Sequence, residues 1–308
     1  MAEHNILENF NIGVLDNLCY LHIAKDSHVK INFADLPKLS DDSRVCVSAC
    51  RALHSIYRHY KEDFLTDGSN VTAFGLLIKS LLPTLNPPRA LGLILLLDQA
   101  PRQLLRGAEI YYAFAFFDHL ALQVVTYIHS LPPHLRPDSK EQWMDKLNYP
   151  FNNWVYIRFL FILPFVHSES LEHSAVAKAL CTELRVAIEN HTGLEDSYLA
   201  RGIAEIDGAA FSHLSLEGPA KNFNGNVNMP SYAFWFLAVL DAHTPVLRRF
   251  NRFPWRNRAL GRRDTEDEEL FLQQTNWFGC ISAGDAARIK ESLENDLDVP
   301  LLDGYSDS

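Results

Sequence analysis

The stretch SDDSRVCVSACRALHSIYRHYKEDF, residues 40–64, decides the fold class. Val45, Ala49, Leu53, Ile56, Tyr60 and Phe64 recur at the three- and four-residue steps that line one face of an α-helix. The Ser-Asp-Asp-Ser cluster at its head supplies side-chain oxygens that accept the free N–H groups of a helix start. The same period continues in both directions. Upstream, Leu7, Phe10, Val14, Leu18 and Leu21 mark a first helix. Downstream, Phe74, Leu77, Ile78 and Leu81 mark another, stopped by Pro83 and by Asn86-Pro87-Pro88. An apolar helix over 89–98 is broken or kinked at Pro101, which lacks an N–H and clashes with the preceding turn. A long helix is expected over 102–129, then others near 141–148, 152–163 and 170–191. Pro164 is read as ending one helix, and Ser168 as starting the next, with His167 at the corner. Thr265-Glu-Asp-Glu268 is a capping box, and Ser282-Ala-Gly-Asp285 opens the last helix.

No strand alternation interrupts this pattern. The expected architecture is a single all-α domain over 1–308, built of about ten antiparallel helices as a bundle or helical-repeat solenoid. Residues 193–231 read as an insert. Within it, 217–231 is rich in Asn, Gly and Pro and has no period, which suits a lid or binding loop. The tail over 299–308 reads as frayed.

Composition removes several function classes. With 28 basic and 38 acidic residues the net charge is −10, which weighs against nucleic acid as a partner. No apolar run reaches the length of a membrane span. Met1-Ala-Glu-His-Asn5 has no basic region leading into an apolar core, so no secretory leader is expected and the location is read as cytoplasmic. Cys19, Cys46, Cys50, Cys181 and Cys280 form no Cys-x-x-Cys pair and read as reduced core residues. Phosphate-binding loops, dinucleotide-binding glycines, a nucleophile elbow, His-Glu-x-x-His and zinc spacing are all missing from the sequence. The reading is therefore of no cofactor and no metal.

Three polar clusters stand in apolar surroundings: Asp98-Gln99-Ala-Pro101-Arg102 with Arg106-Gly107, His167-Ser168-Glu169, and residues 248–263 with His243 just before them. The last cluster carries seven arginines in sixteen residues, interleaved with Phe250, Phe253 and Trp255. Arginine is costly to bury unpaired, so these side chains must meet carboxylates of their own chain or an anionic ligand. Each cluster has an ordinary structural account. Asp98 and Arg102 can be an intrahelical ion pair, Glu169 a first-turn charge, and the arginines can pair with residues 266–269.

Together, the three motifs resemble a helical family catalogued as domain of unknown function 924, itself similar to tetratricopeptide proteins in fold. The resemblance spans about residues 89–273 and implies an all-α, tetratricopeptide-like fold with no established reaction. Trp255 stands where that family commonly has histidine, Asn251 where it commonly has glycine, and the first helix lacks the usual tryptophan-rich opening.

Two functions follow as expectations. The first is a metal-independent hydrolase, lyase, isomerase or cyclase acting on an anionic or polar small molecule by general acid–base catalysis. His167, Glu169, Asp98 and His243 are its candidate catalytic groups. Arg102, Arg249, Arg252, Arg256, Asn257, Trp255 and Gln99 are its candidate substrate-binding groups. The second is a non-catalytic tetratricopeptide-like scaffold that recognises an acidic peptide or carboxylate.

Overall fold

The computed structural model describes residues 12–67, 71–202, 208–222 and 224–295. Among them the secondary structure is helical, with no strand. Leu7, Phe10 and the tail from 299 lie outside the described residues. The chain gathers into two compact units: residues 1–31, 37–164 and 287–308, and residues 32–36 and 165–286.

The first unit contains α1 (Ile12–His22), α2 (Ser43–Asp67), α3 (Thr72–Leu81), α4 (Pro87–Ile94), α5 (Ala100–Leu104), α6 (Ile110–Tyr112) and α7 (Asp118–Ser130). It also holds most of α8 (Phe151–His167). The stripe on α2 is buried as its spacing requires, with Ala49, Leu53, Ile56 and Tyr60 almost fully enclosed. Asn86 caps α4 by accepting the Arg89 N–H at 3.0 Å, and Pro87 occupies a first-turn position, where a missing N–H is harmless.

Among the described residues, three stretches in this unit are π-helical, one of them Glu141–Lys146, and the other two widen longer helices. Over Leu95–Gln99 and over Ala113–Phe117 the backbone is π-helical. Ala100 N–H returns to Leu95 and Asp118 N–H to Ala113, five residues back. The first widened turn leads directly into Pro101, so the chain passes the proline and reaches Leu104 without stopping. It then stops at Leu105, and the helix expected over 102–129 is two pieces. Arg106 turns back and donates to the Arg102 carbonyl at 3.0 Å and the Leu105 carbonyl at 2.9 Å, while Gly107 takes a left-handed φ of 59°. Those bonds satisfy carbonyls that a helix end leaves open. Asp98, Arg102 and Arg106, four apart, would share one helical face, but only the first two stay on the helix.

The second unit contains α9 (Leu171–Thr192), α10 (Ser197–Arg201), α11 (Ala210–Glu217), α12 (Met229–Asp241), α13 (His243–Phe250) and α14 (Glu266–Gln274), followed by the start of α15 (Ala283–Glu294). Pro164 sits inside α8, which runs on to His167. The following cap is Ser170 rather than Ser168, and its side chain accepts the His173 N–H. The loop between α11 and α12 is knit by Asn222, whose side chain accepts the N–H groups of Asn224 at 3.0 Å and Asn226 at 2.9 Å.

A buried ion triad ties α9, α10 and α12 together. Arg185 donates to Asp196 and to Asp241, both at 2.7 Å. Asp196 also caps α10 through the Tyr198 and Leu199 N–H groups. Burial raises the Asp241 pKa, and Arg185 works against that rise. Lysine carries the same charge but cannot span two carboxylates with a planar fork. Arg185→Lys is therefore expected to lower stability by about 2 kcal/mol in urea denaturation, since charge-assisted bonds are worth about 1.5–3 kcal/mol each. An unchanged midpoint would show that the fork geometry carries no weight.

Candidate functional site

The three clusters fall in two units. In the first, the two widened turns each present an aspartate. Asp98 is fully enclosed and Asp118 nearly so. A carboxylate oxygen of one lies within 4.8 Å of a carboxylate oxygen of the other. Arg102 serves both: Nη1 reaches Asp118 at 2.7 Å, the Asp98 carboxylate at 3.6 Å, and the Asp98 main-chain carbonyl at 2.7 Å. The Gln99 amide donates to the other Asp98 oxygen. Burial opposes the Arg102 charge, but Asp118 and Asp98 outweigh it and hold the guanidinium above its ordinary pKa. Its Nη2 is enclosed and has no hydrogen-bond partner, while 20% of the side chain stays exposed. The cluster thus holds two carboxylates, one guanidinium with an enclosed, unpartnered donor, and one amide.

Sequence reasoning identified Asp98, Gln99 and Arg102 but missed Asp118. The available signal was an acid directly after Phe116-Phe117 in an otherwise apolar helix. Periodicity could not show that a widened turn rotates that acid toward Arg102.

The second unit assembles His167, Glu169, His243 and the arginine segment. Glu169 accepts the Phe253 N–H at 2.9 Å with one oxygen and Arg262 at 2.7 Å with the other. Arg256 donates to the His167 carbonyl at 2.9 Å and lies over the Phe253 ring, 5.0 Å from its centre. Arg252 forms a two-pronged pair with Glu268, both bonds 2.6 Å long. Arg249 pairs with Asp267 through two guanidinium nitrogens. The arginines at 249, 252 and 262 thus meet carboxylates of their own chain. Asn257, fully enclosed, donates to Asp264 at 2.7 Å. Trp255 is stacked between Phe211 and Phe253, each 4.8 Å away, within the unit's apolar core.

His243 donates from Nδ1 to the Val239 carbonyl at 2.9 Å, an orientation assigned from that acceptor. Phe211, Phe253 and Trp255 surround its ring. Burial, with smaller contributions from His167 and Arg256, pushes its pKa down to about 3. It is neutral at physiological pH, with Nε2 as an acceptor. Ser174, Lys178, Cys181, Asp241 and Thr244 join it around a pocket of about 10 Å³, room for one water.

Glu268, read from the sequence as the closing member of a capping box, has a second partner in Arg252. Arg252 is the main cause holding its pKa at about 2, aided by the Thr265 N–H. It closes the capping box of α14 while pairing with Arg252.

Residues 77–276 match the family described as bacterial protein of unknown function (DUF924), and the chain belongs to it. No curated protein and no solved structure matches the chain. No helix among the described residues is long and apolar enough to cross a membrane.

Proposed function

We propose that the protein is an enzyme that moves protons on a polar small molecule, with Asp98, Arg102 and Asp118 as its centre. The observation that carries this reading is the convergence of two enclosed carboxylates, each delivered by a π-helical turn, on one guanidinium. Such turns lengthen a helix by one residue at a cost in hydrogen bonding, and they concentrate at functional sites. A soluble helix pair packs at lower cost around apolar side chains than around an ion triad.

The roles follow from the bonds. Asp118, paired with Arg102 at 2.7 Å, accepts a proton from the substrate. Asp98, steadied by Gln99, offsets the Arg102 charge. The Arg102 guanidinium, beside Asp118, stabilises the negative charge that develops as the proton leaves. Two carboxylates against one guanidinium leave the cluster one negative charge in excess. Of the anionic and polar substrates expected from the sequence, that excess favours the polar ones. The pairing of Arg249, Arg252 and Arg262 within the second unit points the same way, because an anion would have to displace carboxylates already bound.

His167 is the remaining acid–base candidate, in the second unit, where its carbonyl fixes Arg256. In the scaffold reading the same charges only hold the fold together, and a tetratricopeptide-like layout presents a peptide groove elsewhere.

The test incubates the purified protein with a panel of polar esters, amides, lactones and hydroxy acids and follows turnover by mass spectrometry. Asp118→Asn and Asp98→Asn are each expected to lower the rate about 10²–10⁴-fold, the usual worth of a positioned acid–base group. Circular dichroism establishes that each variant is folded. Turnover that survives in both folded variants, or binding of an acidic peptide without turnover of any panel member, overturns the proposal.

A further inference from the structure

A second concavity in the first unit lies outside this cluster. It is a cleft of about 280 Å³, lined by Leu82, Leu85, Pro87, Ile128, Leu131, Leu135, Pro83, Pro137 and Gln142. Eight of these nine residues are apolar, and none is charged. The cleft is walled by two turns, residues 82–87 and 131–137.

Both walls are held by hydrogen bonds independent of anything that occupies the cleft. In the first, Leu85 N–H returns to Leu82 at 3.1 Å, Thr84 Oγ1 donates to Leu81 at 2.7 Å, and Asn86 caps α4. In the second, Arg136 donates to the carbonyls of His129 at 2.6 Å and Leu131 at 2.9 Å, and the enclosed Trp143 indole donates to Pro137 at 2.6 Å. Three prolines lock φ along the lining. A cleft with such walls keeps its shape when empty, so a ligand need not pay to order it. Its one polar lining side chain is Gln142, whose amide nitrogen is committed to the His134 carbonyl at 3.0 Å. The amide oxygen is the remaining acceptor.

From this we infer that the cleft is a binding site for a compact, uncharged, apolar molecule with a single hydrogen-bond donor, seated with that donor on the Gln142 oxygen. The volume sets the size at about nine to twelve non-hydrogen atoms, near the lower end of small-molecule sites. The uncharged lining rejects an ionised ligand, which would lose its hydration without a partner. A bicyclic aromatic N–H compound fits all three limits. The cleft is independent of the Asp98–Arg102–Asp118 proposal and stands whether or not that cluster turns over a substrate.

Indole is the probe, with indene as the isostere lacking the donor and indole-3-carboxylate as the charged counterpart. Isothermal titration of the full chain is expected to give the order indole, indene, indole-3-carboxylate, with indole about tenfold tighter than indene, the worth of one net hydrogen bond. Gln142→Leu should abolish that preference while leaving indene binding in place. Leu135→Glu alters an exposed lip residue, 55% accessible, and so leaves the core intact. It should weaken both neutral probes at least tenfold, with an unchanged melting temperature for the empty protein. Three results overturn the inference: no heat with any neutral probe, equal affinity in wild type and Leu135→Glu, or loss of a dimer on Leu135→Glu in sedimentation. The last would show that a second copy of the chain covers the cleft.

Discussion

Gly92→Ala is expected to cost the first unit about 4 kcal/mol and to lower its melting temperature by about 10 °C. A glycine-to-alanine change inside a helix ordinarily stabilises by about 1 kcal/mol, so the expected sign is the reverse of the usual one. The reason lies in the crossing of α1 and α4. A Cβ at position 92 would sit 2.1 Å from the Leu15 carbonyl oxygen and 2.7 Å from its carbon. Both obstructing atoms are backbone, so no rotamer change relieves the overlap. One helix must move by about an ångström, which breaks dispersion contacts along the whole interface. That interface includes Leu15, Leu18, Cys19, Leu91 and Leu93, all nearly or fully enclosed. Gly75 provides the control. A Cβ there meets only the tip of the Gln123 side chain at 3.0 Å, and Gly75→Ala should be neutral or mildly stabilising. Equal melting temperatures for the two variants would show that α1 and α4 do not depend on their close approach.

The contrast between those glycines shows what the sequence carries and what it withholds. Helical period, caps and the all-α class are local properties, and they are legible. The stripe on α2 and the Thr265–Glu268 box stand where the pattern puts them, and Asn86, read as part of a stop, caps the next helix. The helix break at 105–107 was also legible, since Arg-Gly is a C-terminal signature, but an apolar period on both sides concealed it. Pro164 misleads in the opposite direction. A proline in the last turn of α8 loses one bond without ending the helix. The arginine segment reads as a choice between own-chain carboxylates and a ligand. In the fold, Arg249, Arg252 and Arg262 pair with Asp267, Glu268 and Glu169, residues whose proximity the sequence does not reveal. The widened turns are the least legible feature. They follow no residue pattern that periodicity detects, and they decide which acid faces Arg102.

Acid is expected to unfold the protein between pH 6.5 and 4, steeply and for an identifiable reason. Each unit encloses a neutral histidine. In the first, His22 shares a hydrogen bond of 3.0 Å with the Tyr156 hydroxyl, and burial pushes its pKa down to about 4 despite Asp41. In the second, His243 is held at about 3. In the unfolded chain both bind protons below about 6.5. Between that pH and their native values the unfolded state carries more protons than the native state, so stability must fall as pH falls. Each histidine removes about 1.4 kcal/mol per pH unit, reaching about 3 kcal/mol for His22 and about 5 kcal/mol for His243. Their sum is comparable to the whole stability of a typical domain. Glu268, held at about 2 by Arg252, extends the loss below its ordinary titration range; Asp241, whose pKa is raised, offsets part of it. Urea denaturation at a series of pH values should therefore show stability falling throughout this window. His243→Gln, whose amide can still donate to the Val239 carbonyl, should halve the slope. It should also give a variant more stable than wild type at pH 5, relative to their difference at pH 7.5. A stability that stays level from pH 7 to 5 would mean that both imidazoles are protonated inside the fold, and the aromatic enclosure of His243 would then need a solvent path that its packing against Phe211, Phe253 and Trp255 does not provide.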